Sequence, residues 1–198
     1  MKRTSIVTAV VLQVLFLTGC SSSEDSSFGV IPPGVVAGFV ASPAAPAADL
    51  VRIRGVGASG NVVTVDVAIS GPTSSGDIYS FAFDLVLSDP TVASYVTGSA
   101  RVGTALVPAG GQGSIVLVSQ NGNRVIVAVS KSEGGAGNAV GGSEEAIVRL
   151  DFLVLRAGTT DLTLAGQDPS SDPAALDSTG SVIPGVTFDQ ASARLTGI

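Results

Sequence analysis

Sixteen acidic side chains, ten cationic ones, a single cysteine and no histidine make up the chemistry open to this 198-residue chain. The missing histidine removes the commonest general base, every Ser–His or Cys–His dyad and the commonest transition-metal ligand. Catalysis would have to rest on carboxylates, Lys or Tyr alone. The carboxylates gather twice, at Glu144-Glu145 and at Asp168, Asp172 and Asp177. A glycosidase needs two carboxyls about 5–10 Å apart across a cleft. Both clusters sit in stretches that read as loops, so the chain is expected to be no enzyme and to need no cofactor. Asp168, Asp172 and Asp177 could offer oxygen ligands to Ca²⁺, but their spacing is not that of an EF-hand loop. They are weak metal candidates, and no metal site is assigned.

The net charge of −6 and a sequence pI near 4.4 speak against nucleic acid, because phosphate contacts need clustered Lys and Arg. Two of the ten cations, Lys2 and Arg3, open the chain ahead of the apolar run Ser5–Leu17. As a helix that run would reach about 20 Å, short of a ~30 Å hydrocarbon layer, so it reads as a signal-peptide core over residues 1–19. Cys20 cannot close an internal disulfide. Leu17-Thr18-Gly19-Cys20 resembles the bacterial lipobox. That resemblance implies cleavage before Cys20, lipid attachment (palmitate among the acyl chains) at Cys20, and a membrane partner through the anchor. It further implies a lipoprotein of the outer membrane or cell surface, since Ser21 rather than Asp follows. Residues 20–49, with Pro and Gly at high density and no period, read as a disordered tether.

The elements that would position a site begin at Leu50. Strand signals alternate with Gly, Asn, Asp and Pro breakers, and no helical period of useful length appears. The expected strands are Leu50–Val56, Val62–Ser70, Tyr79–Ser88, Thr91–Thr97, Ser114–Gln120, Arg124–Ser130, Ala146–Leu155, Thr160–Leu164 and Val186–Leu195. Tyr79–Ser88 is central. Phe81, Phe83, Leu85 and Leu87 fall on one face and Ser80, Ala82, Asp84, Val86 and Ser88 on the other. Asn121-Gly122 predicts a hairpin, and Lys131–Ser143, rich in Gly, a mobile loop. In Ala146–Leu155, the residues Ala146, Val148, Leu150, Phe152 and Val154 are expected to share a face. A strand at the C-terminal end suggests that the first and last strands share one sheet. The reading is all-β: a nine-stranded β-sandwich over residues 50–198.

The ordered set FxFxLxL-DP (Phe81 to Pro90), LxFxV (Leu150, Phe152, Val154), Gly158 and LxL (Leu162, Leu164) resembles the cohesin domain. The resemblance covers about Val51–Gly197. It implies a jelly-roll sandwich, related in fold to some carbohydrate-binding modules, that binds a protein partner, a dockerin-like Ca²⁺-loaded helical module. Carried onto this chain, the partner-binding face comprises Ser80, Ala82, Asp84, Gln120, Arg124, Ile126, Ala128, Asp161 and Thr163. One departure is the extra Ser88 between Leu87 and Asp89-Pro90, which a β-bulge would absorb. The alternative is a carbohydrate-binding module. With no Trp and only Tyr79 and Tyr95 beside seven Phe, a polysaccharide partner is the weaker reading.

Overall fold

The structure, a computed structural model, describes residues 35–107, 113–132, 134–167 and 171–198. Cys20, the signal segment and most of the expected tether lie outside them, as does Asp168. The described residues hold thirteen strands and no helix. Two sheets stack face to face.

One sheet has seven strands. Its path runs β1 (Ala37–Val40), β13 (Ala193–Gly197), β10 (Gly158–Ala165), β4 (Ser80–Leu87), β8 (Arg124–Lys131) and β7 (Ser114–Asn121). The short β11 (Ala174–Leu176) continues the β10 side of β4. The other sheet has six strands, in the order β12 (Thr187–Phe188), β2 (Leu50–Ser59), β3 (Val62–Ile69), β9 (Glu145–Val154) and β5 (Ala93–Tyr95), with β6 (Arg101–Val102) also on β9. All pairings are antiparallel except β12 with β2.

The period-two pattern fills the space between the sheets. Phe81, Phe83, Leu85 and Leu87 are buried, as are Val125, Val127 and Val129 beside them. Facing them are Val63, Val65, Val67 and Ile69 of β3 and Val148, Leu150, Phe152 and Val154 of β9. Each large apolar side chain so enclosed contributes about 1.5–3 kcal/mol by leaving water.

Several expectations change. No bulge absorbs Ser88: β4 runs in unbroken register with β8 from Ser80↔Ser130 to Val86↔Arg124. Ser88 instead steps off the strand end. Its N–H donates to Asp161 O at 2.9 Å, and its Oγ accepts from Asp161 N at 2.8 Å. Bulges lie elsewhere, at Gly55/Gly57 in β2 and opposite Val67/Ala68 in β9. The second takes Ala146 out of the inward set and places it opposite Ala68. The strand β1 lies inside the stretch expected as tether and pairs with β13 from Ala37↔Gly197 to Val40↔Arg194. The C-terminal stretch divides: β12 joins β2 in one sheet, then β13 crosses to the other. The Gly-rich stretch after β8 is tied down, with Asn138 bridging Ile78 and Val140 buried. A Cβ on Gly137 would lie 2.3 Å from the Asp77 carbonyl carbon, so glycine permits that close approach.

A candidate docking face

The outer side of the seven-stranded sheet is built by the alternate residues of four adjacent strands. On β4 these are Ser80, Ala82, Asp84 and Val86. On β8 they are Arg124, Ile126, Ala128 and Ser130. Cross-strand pairs share a face, so Ser80↔Ser130, Ala82↔Ala128, Asp84↔Ile126 and Val86↔Arg124 stand side by side. On β10 the outer set is Asp161, Thr163 and Ala165, with Thr163 opposite Val86 and Ala165 opposite Asp84. On β7 it is Ile115, Leu117, Ser119 and Asn121, opposite Ser130, Ala128, Ile126 and Arg124.

The β8–β7 side of this face is apolar and shallow. Leu117 is 67% exposed and Ile115 51%. Ile126 and Ala128 are half-buried and line one depression with Leu117 and Ser119. Leu117 and Ile115 thus form a small exposed apolar patch beside β8. Ser80, Ala82, Ile126, Ala128 and Thr163 therefore stand on the face assigned to them from the sequence.

Two assigned residues are not available to a partner there. Gln120 lies opposite Val125, which is buried, so its side chain enters between the sheets. Its Oε1 accepts from Ser94 Oγ and from the Tyr95 N–H, both at 2.9 Å, and its Nε2 donates to Gly122 O at 2.9 Å. It ties β7 to β5 of the opposite sheet rather than facing a partner. Asp84 is on the outer face but has no exposure. Arg124 Nε donates to its Oδ2 at 2.6 Å, and Arg124 Nη2 donates to Gly166 O, so the guanidinium closes over the carboxylate. Asp84 cannot touch a partner directly; it orients Arg124, which stays partly exposed. Asp161 sits at the rim, holding Arg194 at 2.7 Å.

Sequence reasoning missed Ile115 and Leu117. All of Ile115, Val116, Leu117 and Val118 are apolar, so no alternation separates their faces until the register with β8 is known.

The outer side of the six-stranded sheet is different in kind. Asp66, fully buried, accepts from Arg149 Nε at 2.8 Å and Arg54 Nη2 at 3.0 Å. Glu144 holds Arg52 at 2.6 Å and Arg54 at 3.1 Å, and Asp151 holds Arg101 at 2.7 Å. Burial alone would raise the Asp66 carboxyl, but hydrogen bonds from Arg149 and Arg54, with their charges, outweigh it and hold it below the usual 3.8. Glu144 is thus engaged in ion pairs rather than facing a cleft.

Asp177 accepts from the Thr179 and Ser181 N–H groups and the Thr179 hydroxyl, while Asp172 is exposed. Among the described residues no three carboxylate, His or Cys groups gather as a metal site. The described aromatic rings are all buried or half-buried, Tyr95 against Phe152 at 6.3 Å between centroids, and offer no exposed platform for sugar rings.

Two stacked, almost wholly antiparallel sheets around one apolar core make a β-sandwich. Comparison with solved structures makes the type specific. The chain is similar to the second type II cohesin module of the adaptor scaffoldin ScaA of Acetivibrio cellulolyticus, at 15% identity, covering 73% of this chain and 87% of that one with a TM-score of 0.52. It is also similar to a type II cohesin domain from the cellulosome of the same organism, at 15% identity over 73% and 92%, with a TM-score of 0.50. A third is CaCohA2 of Clostridium acetobutylicum, at 18% identity over 73% and 87%, with a TM-score of 0.51. The domain has the cohesin fold. No protein-family model matches the chain, and no curated protein matches it.

Proposed function

We propose that this chain is a non-catalytic binding module that holds a protein partner on the outer face of the β10–β4–β8–β7 strands. The observation that carries this reading is the pair Leu117 and Ile115, 67% and 51% exposed, standing beside Ile126 and Ala128 on a flat and largely uncharged surface. Keeping such residues in water has no folding benefit, whereas a partner with a matching apolar surface would gain about 25 cal/mol for each Å² removed from water. A flat apolar face rimmed by Arg124 and Arg194 suits one side of an amphipathic helix. The partner proposed is accordingly a small helical module of the dockerin type, as the cohesin fold and the sequence resemblance support. A sugar ligand lacks, among the described residues, an exposed ring to stack upon.

The lipobox-like Leu17–Cys20 extends the proposal to location. Lipid on Cys20 would hold the domain at an outer membrane or cell surface, with the partner displayed outward. Fractionation of cells expressing the full chain tests this part: the protein is expected with membranes, and Cys20→Ser is expected to release it. Recovery of both forms in the soluble fraction would refute the anchor and leave the docking face untouched.

The docking face is tested by titrating the protein with calcium-loaded dockerin modules encoded by the same genome. Ala128→Arg, at the middle of the face, is expected to weaken binding at least tenfold. Equal binding by Ala128→Arg and the unmodified protein would refute the face.

A further inference from the structure

The strand β7 is the last of its sheet, and among the described residues no strand but β8 pairs with it, although Ser114 Oγ donates to Leu106 O at 3.0 Å near its start. Hydrogen bonds fix which of its backbone groups point away from β8. In β8, Lys131 N–H donates to Tyr79 O at 3.1 Å and Leu87 N–H to Asn123 O at 2.8 Å, so the odd-numbered residues of β8 face β4. The even-numbered residues Arg124, Ile126, Ala128 and Ser130 therefore face β7 and meet Asn121, Ser119, Leu117 and Ile115. Antiparallel pairs alternate in this way. The N–H and C=O groups of Ser114, Val116, Val118 and Gln120 consequently point away from the sheet, and no other strand among the described residues pairs with β7.

Sheet edges of this kind are normally blunted by shortness, by charge or by Pro. The other terminal strands are short: β1 has four residues, β12 two and β5 three. By contrast β7 has eight, and the run Ser114–Asn121 contains neither a charge nor a Pro. On a chain of net charge −6, this uncharged edge is where two copies approach with least repulsion.

We propose that two copies of this chain pair through β7, antiparallel about a two-fold axis at Leu117, to form one continuous sheet. The strand is self-complementary in that register. Ser114 meets Gln120 of the second copy and Val116 meets its Val118, which joins every outward N–H and C=O. On the outer side Leu117 meets Leu117 of the second copy and Ile115 meets its Ser119, so these side chains pack flank to flank while their tips stay open on the partner face. On the inner side, the half-buried Val116 and Val118 gain cover. The partner face of each copy then lies next to that of the other, with Ile126 and Ala128 still open.

Cross-linking of the full chain in a Cys20→Ser background tests this. Leu117→Cys places two thiols on directly opposite, non-hydrogen-bonded positions, where Cα atoms lie about 4.5 Å apart, within disulfide range. Mild oxidation is expected to convert Leu117→Cys to a covalent dimer, whereas Ser119→Cys, facing Ile115 of the second copy, is expected to stay monomeric. Adding Val118→Pro to Leu117→Cys removes an edge N–H without touching the β8 ladder, and is expected to abolish the cross-link. Failure of Leu117→Cys to cross-link, or equal cross-linking by Ser119→Cys, would overturn the pairing. Either result leaves the titration with dockerin modules to decide the docking reading separately.

Discussion

Arg124 Nε lies 2.6 Å from Asp84 Oδ2 and forms the lid over a carboxylate with no exposure. The second oxygen, Oδ1, has no hydrogen-bond partner among the described residues. Removing the arginine would strand a buried charge. A fully buried pair broken in this way costs about 3–5 kcal/mol. Arg124 keeps 29% of its side chain in water, so Arg124→Ala is expected to cost about 2–4 kcal/mol. Asp84→Asn leaves only the partly exposed Arg124 without its anion, and is expected to cost less. Urea unfolding of both variants checks the order.

Asp66 gives the fold an acid limit. Its carboxyl is held below the usual 3.8 in the folded chain. A depressed folded pKa means that the unfolded chain binds the proton more readily, so the stabilisation is complete above the ordinary value and is lost as pH falls through the folded one. Stability is expected to drop on acidification from about pH 5 to about pH 2. Asp66→Asn is expected to show a shallower drop. Some slope remains, because hydrogen bonds also lower the carboxyls of Asp77, Asp89 and Asp177. Denaturant midpoints across that range measure the difference.

Gln120→Ala removes the tie between β7 and β5. The Tyr95 N–H loses its acceptor at the margin of the core. The expected cost is about 1–3 kcal/mol, the desolvation penalty of an unsatisfied group. Partner affinity is expected to be unchanged, since the side chain is on the inner side. Thermal unfolding and titration read the two effects separately.

Core and face respond in opposite ways to truncation. Phe83, fully buried and 6.3 Å from the Phe188 ring centre, is expected to cost about 3–5 kcal/mol as Phe83→Ala. Leu117→Ser, on the exposed face, is expected to change stability by under about 0.5 kcal/mol. Denaturant titration of both variants distinguishes a side chain kept for folding from one kept for contact.

Much of this was legible in the residues. Period two in Phe81–Leu87 predicts the inward set, and Asn121-Gly122 the β7–β8 hairpin, where Gly122 adopts φ 60°. The face of Gln120 was legible as well: once the turn sets it opposite Val125, which alternates with Val127 and Val129, the side chain must point inward. The resemblance placed it outward instead, and a hydrogen-bonding tie between two sheets has no local signature to correct that. The burial of Asp84 was not legible. It depends on Arg124 reaching Gly166, a contact between residues 42 apart that no local spacing encodes. The strand β1 was hidden by Pro and Gly on either side, and only its pairing with β13 makes it regular. The bulge that turns Ala146 outward likewise arises from the pairing of β9 with β3.

The central claim is that the outer side of the β10–β4–β8–β7 strands is where a protein partner docks. Calorimetric titration with calcium-loaded dockerin modules of the same genome tests it most directly, comparing Ala128→Arg on that side with Arg149→Ala on the opposite sheet. The account expects one module to bind, with affinity lost at least tenfold in Ala128→Arg and unchanged in Arg149→Ala. Absence of binding by every module, or equal loss in both variants, would contradict it.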